Sequence, residues 1–152
     1  MTYEVKVQTL SPRILAAVRR RVARGEVPRA FKPALDNVWT FLGKHQGLRT
    51  DGHNVFLYHP SSPRSPFMDV DFGVEVVREF VGEEDVACVT TPAGEAAVAI
   101  HRGPYAGIGA AHQALHQWIA ANGRTGTYSL EIYGDWSEDP QKLETTIEYL
   151  LE

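Results

Sequence analysis

The sequence predicts an α+β fold in which a strand-strand-helix-strand-strand unit occurs twice, as an antiparallel sheet with its helices on one face. Alternation of apolar and polar residues, the mark of half-buried strands, recurs along the chain, and one amphipathic helical stripe interrupts it in each half. The predicted helices that end before Gly47 and Gly123 align without a gap, and Phe56-Leu57-Tyr58 aligns with Glu131-Ile132-Tyr133. An internal duplication is therefore expected.

The duplication predicts one domain over residues 1–152, composed of pseudo-repeats 1–81 and 82–152. In each repeat the helices would cover one sheet face, and the remaining faces would meet around a pseudo-two-fold axis. A cleft on such an axis is a natural place for a ligand. We therefore expect a central ligand groove shared by the two repeats.

The first repeat predicts four strands and one helix. Alternation marks the strands, and an apolar stripe marks the helix: strands 3–10, 14–22, 54–59 and 68–80, and helix 33–45. Pro33 suits the first turn of a helix, and Gly47 is a typical stop after the last turn. We expect loops at 25–30, which holds Pro28, and in the Ser- and Pro-rich stretch 60–66.

The second repeat follows a predicted turn at Gly82-Glu83-Glu84-Asp85 and has the same order. Its strands are predicted at 86–91, 95–102, 128–135 and 142–151. Its helix is expected to open at Gly103-Pro104 and to run to about Ala121, where Asn122-Gly123 ends it. The apolar stripe of this helix consists of Ile108, Ala111, Leu115 and Ile119.

Composition and charge restrict the class of partner. The 152 residues carry a formal net charge of −4, which argues against a general nucleic-acid-binding surface. The arginines Arg19, Arg20 and Arg21 fall in the segment 14–22, which would also tolerate a helix; on a strand they would protect an exposed edge. The single cysteine excludes an intrachain disulfide framework.

The expected location is the cytoplasm. No apolar run approaches the roughly 20 residues that cross a bilayer, and the N-terminus lacks a signal-peptide core. Neither a membrane nor a nucleic acid is an expected direct partner.

The strand that begins at Tyr128 carries the first candidate site. Its alternation places Tyr128, Leu130 and Ile132 on a core face and directs Glu131 and Tyr133 to the opposite face. A carboxylate beside an aromatic ring is suited to a cationic or polarised ligand. The alternative is a pair of ordinary surface residues on an exposed strand.

Six more residues are candidates for the same ligand pocket: Tyr58, Trp39, Phe56, Phe67, Asp71 and Tyr105. Tyr58 aligns with Tyr133, and Phe67 would project from the Ser-Pro loop. Trp39 is either a core residue or a lid over the groove, and Tyr105 either closes one end or staples the helix start. Asp71 would strengthen a preference for cations if its strand face lined the groove.

A metal site was considered at His112 and His116, whose i, i+4 spacing on a helix suits zinc. No third ligand is evident in the sequence, so no metal or other cofactor is expected. His101, in the turn before the second helix, is expected to hydrogen-bond the backbone.

Four pieces of the second half carry a family resemblance. They are Ala99-Ile100-His101-Arg102-Gly103-Pro104-Tyr105, a helix that ends Trp118-Ile119-Ala120-Ala121-Asn122-Gly123, the strand Leu130-Glu131-Ile132-Tyr133, and Asp139-Pro140. Together, in this order, they resemble the GyrI-like small-molecule-binding domain, also called the AraC-type effector-binding domain. The resemblance covers essentially the whole chain through the duplicated pattern.

The resemblance implies a duplicated fold with a central ligand groove. It implies that Glu131 contacts cationic, aromatic-rich ligands and that Tyr133 supplies a neighbouring ring. Regulators in the family carry an N-terminal DNA-binding module, whereas this chain begins directly with its first predicted strand. A stand-alone form of the domain is therefore expected.

Three functions follow as hypotheses. The first is capture of aromatic or cationic small molecules, in a response to xenobiotics or toxins. The second is a hydrolase that opens a strained cyclopropane of a DNA-alkylating natural product, with Glu131 as general base and Tyr133 or Tyr58 orienting water. The third is a protein-interaction module, such as a modulator of gyrase.

Overall fold

Eight β-strands and two α-helices form the computed structural model, which describes residues 2–152. The strands are β1 (Lys6–Leu10), β2 (Ile14–Ala23), β3 (Asn54–Tyr58), β4 (Phe67–Val76), β5 (Val86–Thr90), β6 (Gly94–Arg102), β7 (Gly126–Tyr133) and β8 (Glu144–Leu151). The helices are α1 (Val27–Lys44) and α2 (Ile108–Ala121). The strand pairs described below are antiparallel, which confirms the predicted α+β class.

The chain divides into two compact units. The C-terminal unit contains the N-terminal segment up to Ser11 together with Pro92–Glu152, and the central unit is Pro12–Thr91. The strand order is β1-β6-β8-β7 in the C-terminal unit and β5-β2-β4-β3 in the central unit. The first strand of each sequence half thus pairs with strands of the other half, so the units are not the halves 1–81 and 82–152. The duplication itself stays a prediction.

The core of the C-terminal unit lies between α2 and one face of its sheet. The predicted helical stripe is buried there, which confirms it, and it packs against small and apolar residues of β6 and β8. The buried cluster consists of Ala97, Ala99, Ile108, Ala111, Leu115, Ile119, Ile147 and Tyr149. Burial of a side chain such as Leu115, which is 0% exposed, contributes about 1.5–3 kcal/mol. This packing holds α2 over the sheet.

Helix α1 begins six residues earlier than predicted, at Val27 rather than Pro33. The segment 25–30 is therefore mostly helical, and its prediction as a loop was wrong. Pro28 lies in the first turn, where the missing N–H would have no partner anyway, and Pro33 lies inside the helix. Pro28 thus takes the first-turn position that was predicted for Pro33.

Strand β4 is shorter than predicted, because it ends at Val76 instead of Phe80. The backbone N–H of Val77 donates to the carbonyl oxygen of Leu48 at 2.9 Å, so the chain leaves its partner strand there. Strands β1 and β8 begin two to three residues later than predicted. The alternation of apolar residues extends beyond the observed ends of these strands. It therefore does not show where the hydrogen bonds to a partner strand begin or end.

His101 fixes the turn that precedes α2. The side chain is 2% exposed, and its Nε2–H donates to the carbonyl oxygen of Pro104 at 2.8 Å, as the sequence predicted. Nδ1 accepts a hydrogen bond from the Tyr3 hydroxyl at 2.8 Å. A Cβ on Gly107 would lie 2.9 Å from the Cε1 atom of His101. The turn therefore needs a residue without a side chain at this position.

The substitution Gly107→Ala should destabilise the fold by about 1–3 kcal/mol, because the added methyl group overlaps the buried His101 ring. The matched control is Gly109→Ala, since a Cβ there meets nothing within 4 Å. We expect the control to stabilise the protein by about 0.4–1 kcal/mol. Urea unfolding of both variants measures the difference, and equal stabilities would contradict the role assigned to His101.

Candidate functional site

Glu131 lies on β7 and is 6% exposed. It is in register with Ile147 of β8, a member of the core cluster, and it therefore faces α2. Alternation predicted that Glu131 faces away from the core, and this prediction was wrong: the acid lies on the helix-covered face. The reason is that both faces of β7 are buried, since Leu130 on the other face is 1% exposed. Alternation alone cannot show which buried face carries the helix.

Both carboxylate oxygens of Glu131 accept hydrogen bonds from neighbouring side chains. The Tyr133 hydroxyl donates to Oε1 at 2.7 Å. His112, which projects from α2, donates its Nε2–H to Oε2 at 2.6 Å. Hydrogen bonds of this length to a carboxylate are characteristic of charge-assisted pairs.

Tyr149 of β8 continues the network from His112 to His116. Because the Nε2 hydrogen of neutral His112 points to Glu131, its Nδ1 accepts, and the Tyr149 hydroxyl donates to it at 2.6 Å. The same hydroxyl oxygen accepts from Nε2–H of His116 at 3.1 Å. We call these five residues, Tyr133, Glu131, His112, Tyr149 and His116, the Glu131 cluster. It connects a buried carboxylate with an exposed histidine on α2.

The surroundings keep the two tyrosines of the Glu131 cluster protonated. Burial, and then the negative charge of Glu131 and its hydrogen bond, raise the pKa of Tyr133 above the ordinary value. Burial and then the charge of Glu131 raise the pKa of Tyr149. Burial, with a contribution from His112, lowers the pKa of His116. Glu131 is thus held by phenol and imidazole donors, and neither phenol is poised to act as a nucleophile.

Tyr105 adds an aromatic ring at the open side of the Glu131 cluster. It is 40% exposed, and its ring meets that of Tyr133 edge to face, with centroids 5.5 Å apart. Burial raises the pKa of Tyr105, so this phenol also stays neutral. The sequence predicted that Glu131, Tyr133 and Tyr105 share a site, and the structure brings these three together.

Phe56 occupies the position in the central unit that aligns with Glu131. It is 4% exposed and packs between Phe31 and Phe72, with ring centroids 5.9 and 4.9 Å away. The predicted pocket wall is therefore a core side chain here. Tyr58, the counterpart of Tyr133, is half-buried at the end of β3.

Trp39 and Phe67 lie on the surface of the central unit. Trp39 is 38% exposed, which excludes the core alternative, and the guanidinium carbon of Arg49 lies 4.8 Å from its ring centroid. Phe67 is 41% exposed, with the Arg21 guanidinium 5.2 Å away. Each ring already stacks with a cation of the chain. Their predicted roles as lid and wall stay predictions.

Asp71 lies almost fully buried on β4, at 1% exposure. Arg19 donates from Nε and Nη2 to its two oxygens, at 2.7 and 3.1 Å, and Nε2–H of His59 donates at 2.7 Å. On the same strand Glu75 accepts from Arg13 at 2.8 Å. Arg19 and Arg13 therefore compensate the charges of both acids. The predicted role of Asp71 in ligand binding stays a prediction.

Residues 2–152 contain neither a cluster of metal ligands nor a helix suited to cross a membrane. No group of three His, Cys, Asp or Glu side chains there is placed to hold a metal ion. His112 and His116 lie on either side of Tyr149, which explains their spacing without a metal. Neither helix in the same residues combines the length and apolar character needed to cross a membrane.

The comparison with protein families gives one match, which covers nearly the whole chain. The model of the GyrI-like small molecule binding domain matches residues 3–151. No curated protein matches the sequence significantly.

Several solved structures share the fold. The C-terminal domain of EcmrR is 25% identical with a TM-score of 0.83, and the match covers 100% of this chain and 99% of that domain. In an EcmrR–DNA complex the match covers 99% of this chain but 57% of the EcmrR chain, at 25% identity and a TM-score of 0.80. SAV2435 bound to tetraphenylphosphonium is 16% identical, with a TM-score of 0.64 and coverages of 100% and 94%. A hydrolase from Listeria innocua is 15% identical, with a TM-score of 0.60 and coverages of 98% and 92%.

Alkaline pH should destabilise the protein through Tyr133 and Tyr149. Their raised pKa values mean that the folded state keeps two protons which the unfolded chain loses above pH 10.0, the ordinary tyrosine value. The stabilising effect is therefore complete below that pH and is lost as pH rises, by about 1.4 kcal/mol per tyrosine and pH unit.

Urea unfolding at a series of pH values above neutrality measures this loss, and ultraviolet absorbance follows ionisation of the phenols. In Tyr133→Phe the alkaline loss of stability should be about half of that in the wild type. An unchanged slope in the variant would show that the Tyr133 hydroxyl ionises normally.

Proposed function

We propose that this chain, which belongs to the family of GyrI-like small-molecule-binding domains, captures aromatic cations at the Glu131 cluster. The observation that carries the proposal is a carboxylate that is 6% exposed and is held by Tyr133 and His112, with a second tyrosine ring at its side. Such a site offers a negative charge and aromatic surface together.

Burial makes the carboxylate an effective partner for a cation. In the partly desolvated surroundings of Glu131, two opposite charges about 4 Å apart attract by about 4 kcal/mol, against about 1 kcal/mol in water. A cation over the ring of Tyr133 or Tyr105 gains up to about 2 kcal/mol more when it is desolvated. These two attractions favour ligands in which a delocalised positive charge is carried by a molecule with aromatic rings.

Tetraphenylphosphonium is a suitable probe of this class. It is the molecule bound to the structural neighbour SAV2435, and it has aromatic arms and no N–H group. It therefore has no donor of its own that would compete with Tyr133 and His112 for the hydrogen bonds to Glu131. A protein that captures such compounds would serve in a response to xenobiotics or toxins.

The substitution Glu131→Gln should weaken binding of tetraphenylphosphonium about tenfold, because it removes the buried charge and keeps the shape. Isothermal titration calorimetry at neutral pH measures the effect. The matched control Glu138→Gln changes an exposed acid and should leave the affinity unchanged.

A neutral ligand of similar shape distinguishes the contribution of charge to the affinity from the contribution of shape. Triphenylphosphine oxide, which has three of the aromatic arms and no net charge, should bind weakly and should not distinguish Glu131→Gln from the wild type. Equal affinity of both proteins for tetraphenylphosphonium would contradict the charge role of Glu131.

A hydrolase is the second candidate, favoured by the contact between an acid and a phenol. The 2.7 Å separation of the Tyr133 hydroxyl and Glu131 Oε1 places a general base beside a hydrogen-bond donor. In this reaction Glu131 would take a proton from water, the water oxygen would bond to a cyclopropane carbon, and the broken C–C bond would leave its electrons on the alkylator's conjugated carbonyl. Tyr133 would donate a hydrogen bond to the water or to the carbonyl oxygen of the alkylator.

Turnover distinguishes the hydrolase from the binding protein. Incubation with a cyclopropane-bearing alkylator should give hydrated product in excess of protein, and Glu131→Gln should lower the rate at least about a hundredfold, the usual share of a general base. Product that never exceeds the amount of protein would exclude a hydrolase and leave capture as the function.

A further inference from the structure

The Tyr149 hydroxyl lies between two imidazole nitrogens, 2.6 Å from His112 Nδ1 and 3.1 Å from His116 Nε2. A hydroxyl donates one hydrogen bond and accepts others. With neutral His112, Tyr149 donates to His112 and accepts from Nε2–H of His116, so each of these two contacts pairs one donor with one acceptor.

A second proton arrangement satisfies the same distances. If His112 gains a proton, both of its nitrogens donate, Nε2–H to Glu131 and Nδ1–H to Tyr149. The Tyr149 hydroxyl then turns its hydrogen to Nε2 of His116, which accepts in its other neutral tautomer. The lowered pKa of His116 favours the neutral ring that this arrangement needs. The Glu131 cluster can thus take up one proton with only a hydroxyl rotation and a tautomer change.

We propose that protonated His112 is an internal cation for Glu131 and competes with the ligand, so that capture of a cation at this site expels a proton. The inference rests on the proposed function, which it extends from ligand class to regulation. His112 lies 2.6 Å from Glu131 Oε2, and a cation that approaches the same carboxylate opposes a positive charge on His112. Proton and ligand therefore exclude one another.

The charged and titratable groups around His112 set the direction of the effect. Glu131 and, beyond it, Tyr133 face it from β7, Tyr149 faces it from β8, and His116 lies one turn along α2. Tyr105 meets the far side of Tyr133. Glu131 is the carboxylate in this set, and all three tyrosines stay neutral. Protonation of His112 therefore cancels the charge that attracts the ligand, and affinity falls as pH falls.

Calorimetric titration with tetraphenylphosphonium between about pH 5 and pH 8, the range in which histidines change charge, tests the competition. One-for-one competition between proton and ligand predicts that affinity falls by up to about tenfold per pH unit as pH falls through this range. Runs in two buffers of different ionisation enthalpy should show release of up to about one proton per ligand bound.

His112→Gln is the decisive variant, because a glutamine amide can donate to Glu131 but cannot take up a proton. Its affinity should be independent of pH over this range, and proton release should vanish. His45→Gln is the matched control: His45 Nε2 lies 2.8 Å from Glu83 in the central unit, and this variant should keep the pH dependence of the wild type.

Nitrogen NMR of the His112 ring gives a readout without ligand. We expect the Nε2–H tautomer at high pH, and in Glu131→Gln a changed chemical shift of the Nε2 nitrogen, because an amide replaces the carboxylate that accepts this hydrogen bond. A ring signal that is insensitive to Glu131→Gln would overturn the pairing.

The outcomes separate the two proposals. Binding of tetraphenylphosphonium with the same affinity at every pH would overturn the competition and leave the proposed function intact. Absence of binding at every pH would overturn the proposed function and the competition with it. Equal pH dependence in wild type and His112→Gln would assign the effect to another group and overturn the role of His112.

Discussion

The buried carboxylate of Glu131 constrains the packing of the C-terminal unit, because donors must lie at hydrogen-bonding distance from it. Taking a charge out of water costs several kcal/mol unless hydrogen bonds replace its hydration. The donors come from β7 itself and from α2, and β8 supplies the tyrosine that orients the second donor. The apolar packing of α2 against β6 and β8 therefore does more than stabilise the fold, because it holds His112 at hydrogen-bonding distance. A small displacement of the helix would break the hydrogen bond from His112 to the buried charge.

The fold could be predicted from the sequence as far as local patterns determine it. Alternation located the eight strands, and the stripe from Ile108 to Ile119 located α2, because both depend on nearby residues. The start of α1 could not be found in this way, since Pro28 and Pro33 are both acceptable first-turn residues. The end of β4 depends on a hydrogen bond from Val77 to Leu48, a partner distant in the sequence.

Within the Glu131 cluster, the pair that shares one strand was predictable from the sequence, and the residues that the fold joins to this pair were not. Glu131 and Tyr133 were found because they share a strand. The assembly of His112, Tyr149 and His116 around the acid depends on strand register and on the rotation of α2 about its axis, which no single segment encodes. Asp71 illustrates the same limit: its charge was visible in the sequence, but the arginine and histidine that compensate it were not.

The exchange of first strands between the sequence halves has a consequence for biosynthesis. Pairing of β1 with β6 joins Lys6 to Val98, and β5 returns to pair with β2 across some seventy residues. A nascent chain that has left the ribosome only as far as residue 81 therefore lacks one neighbour for β2, and β6, the partner of β1, has not yet emerged. Contacts this distant along the chain slow folding, and the unpaired edges are exposed in the meantime. Early translation intermediates of this protein are where assistance from chaperones would matter most.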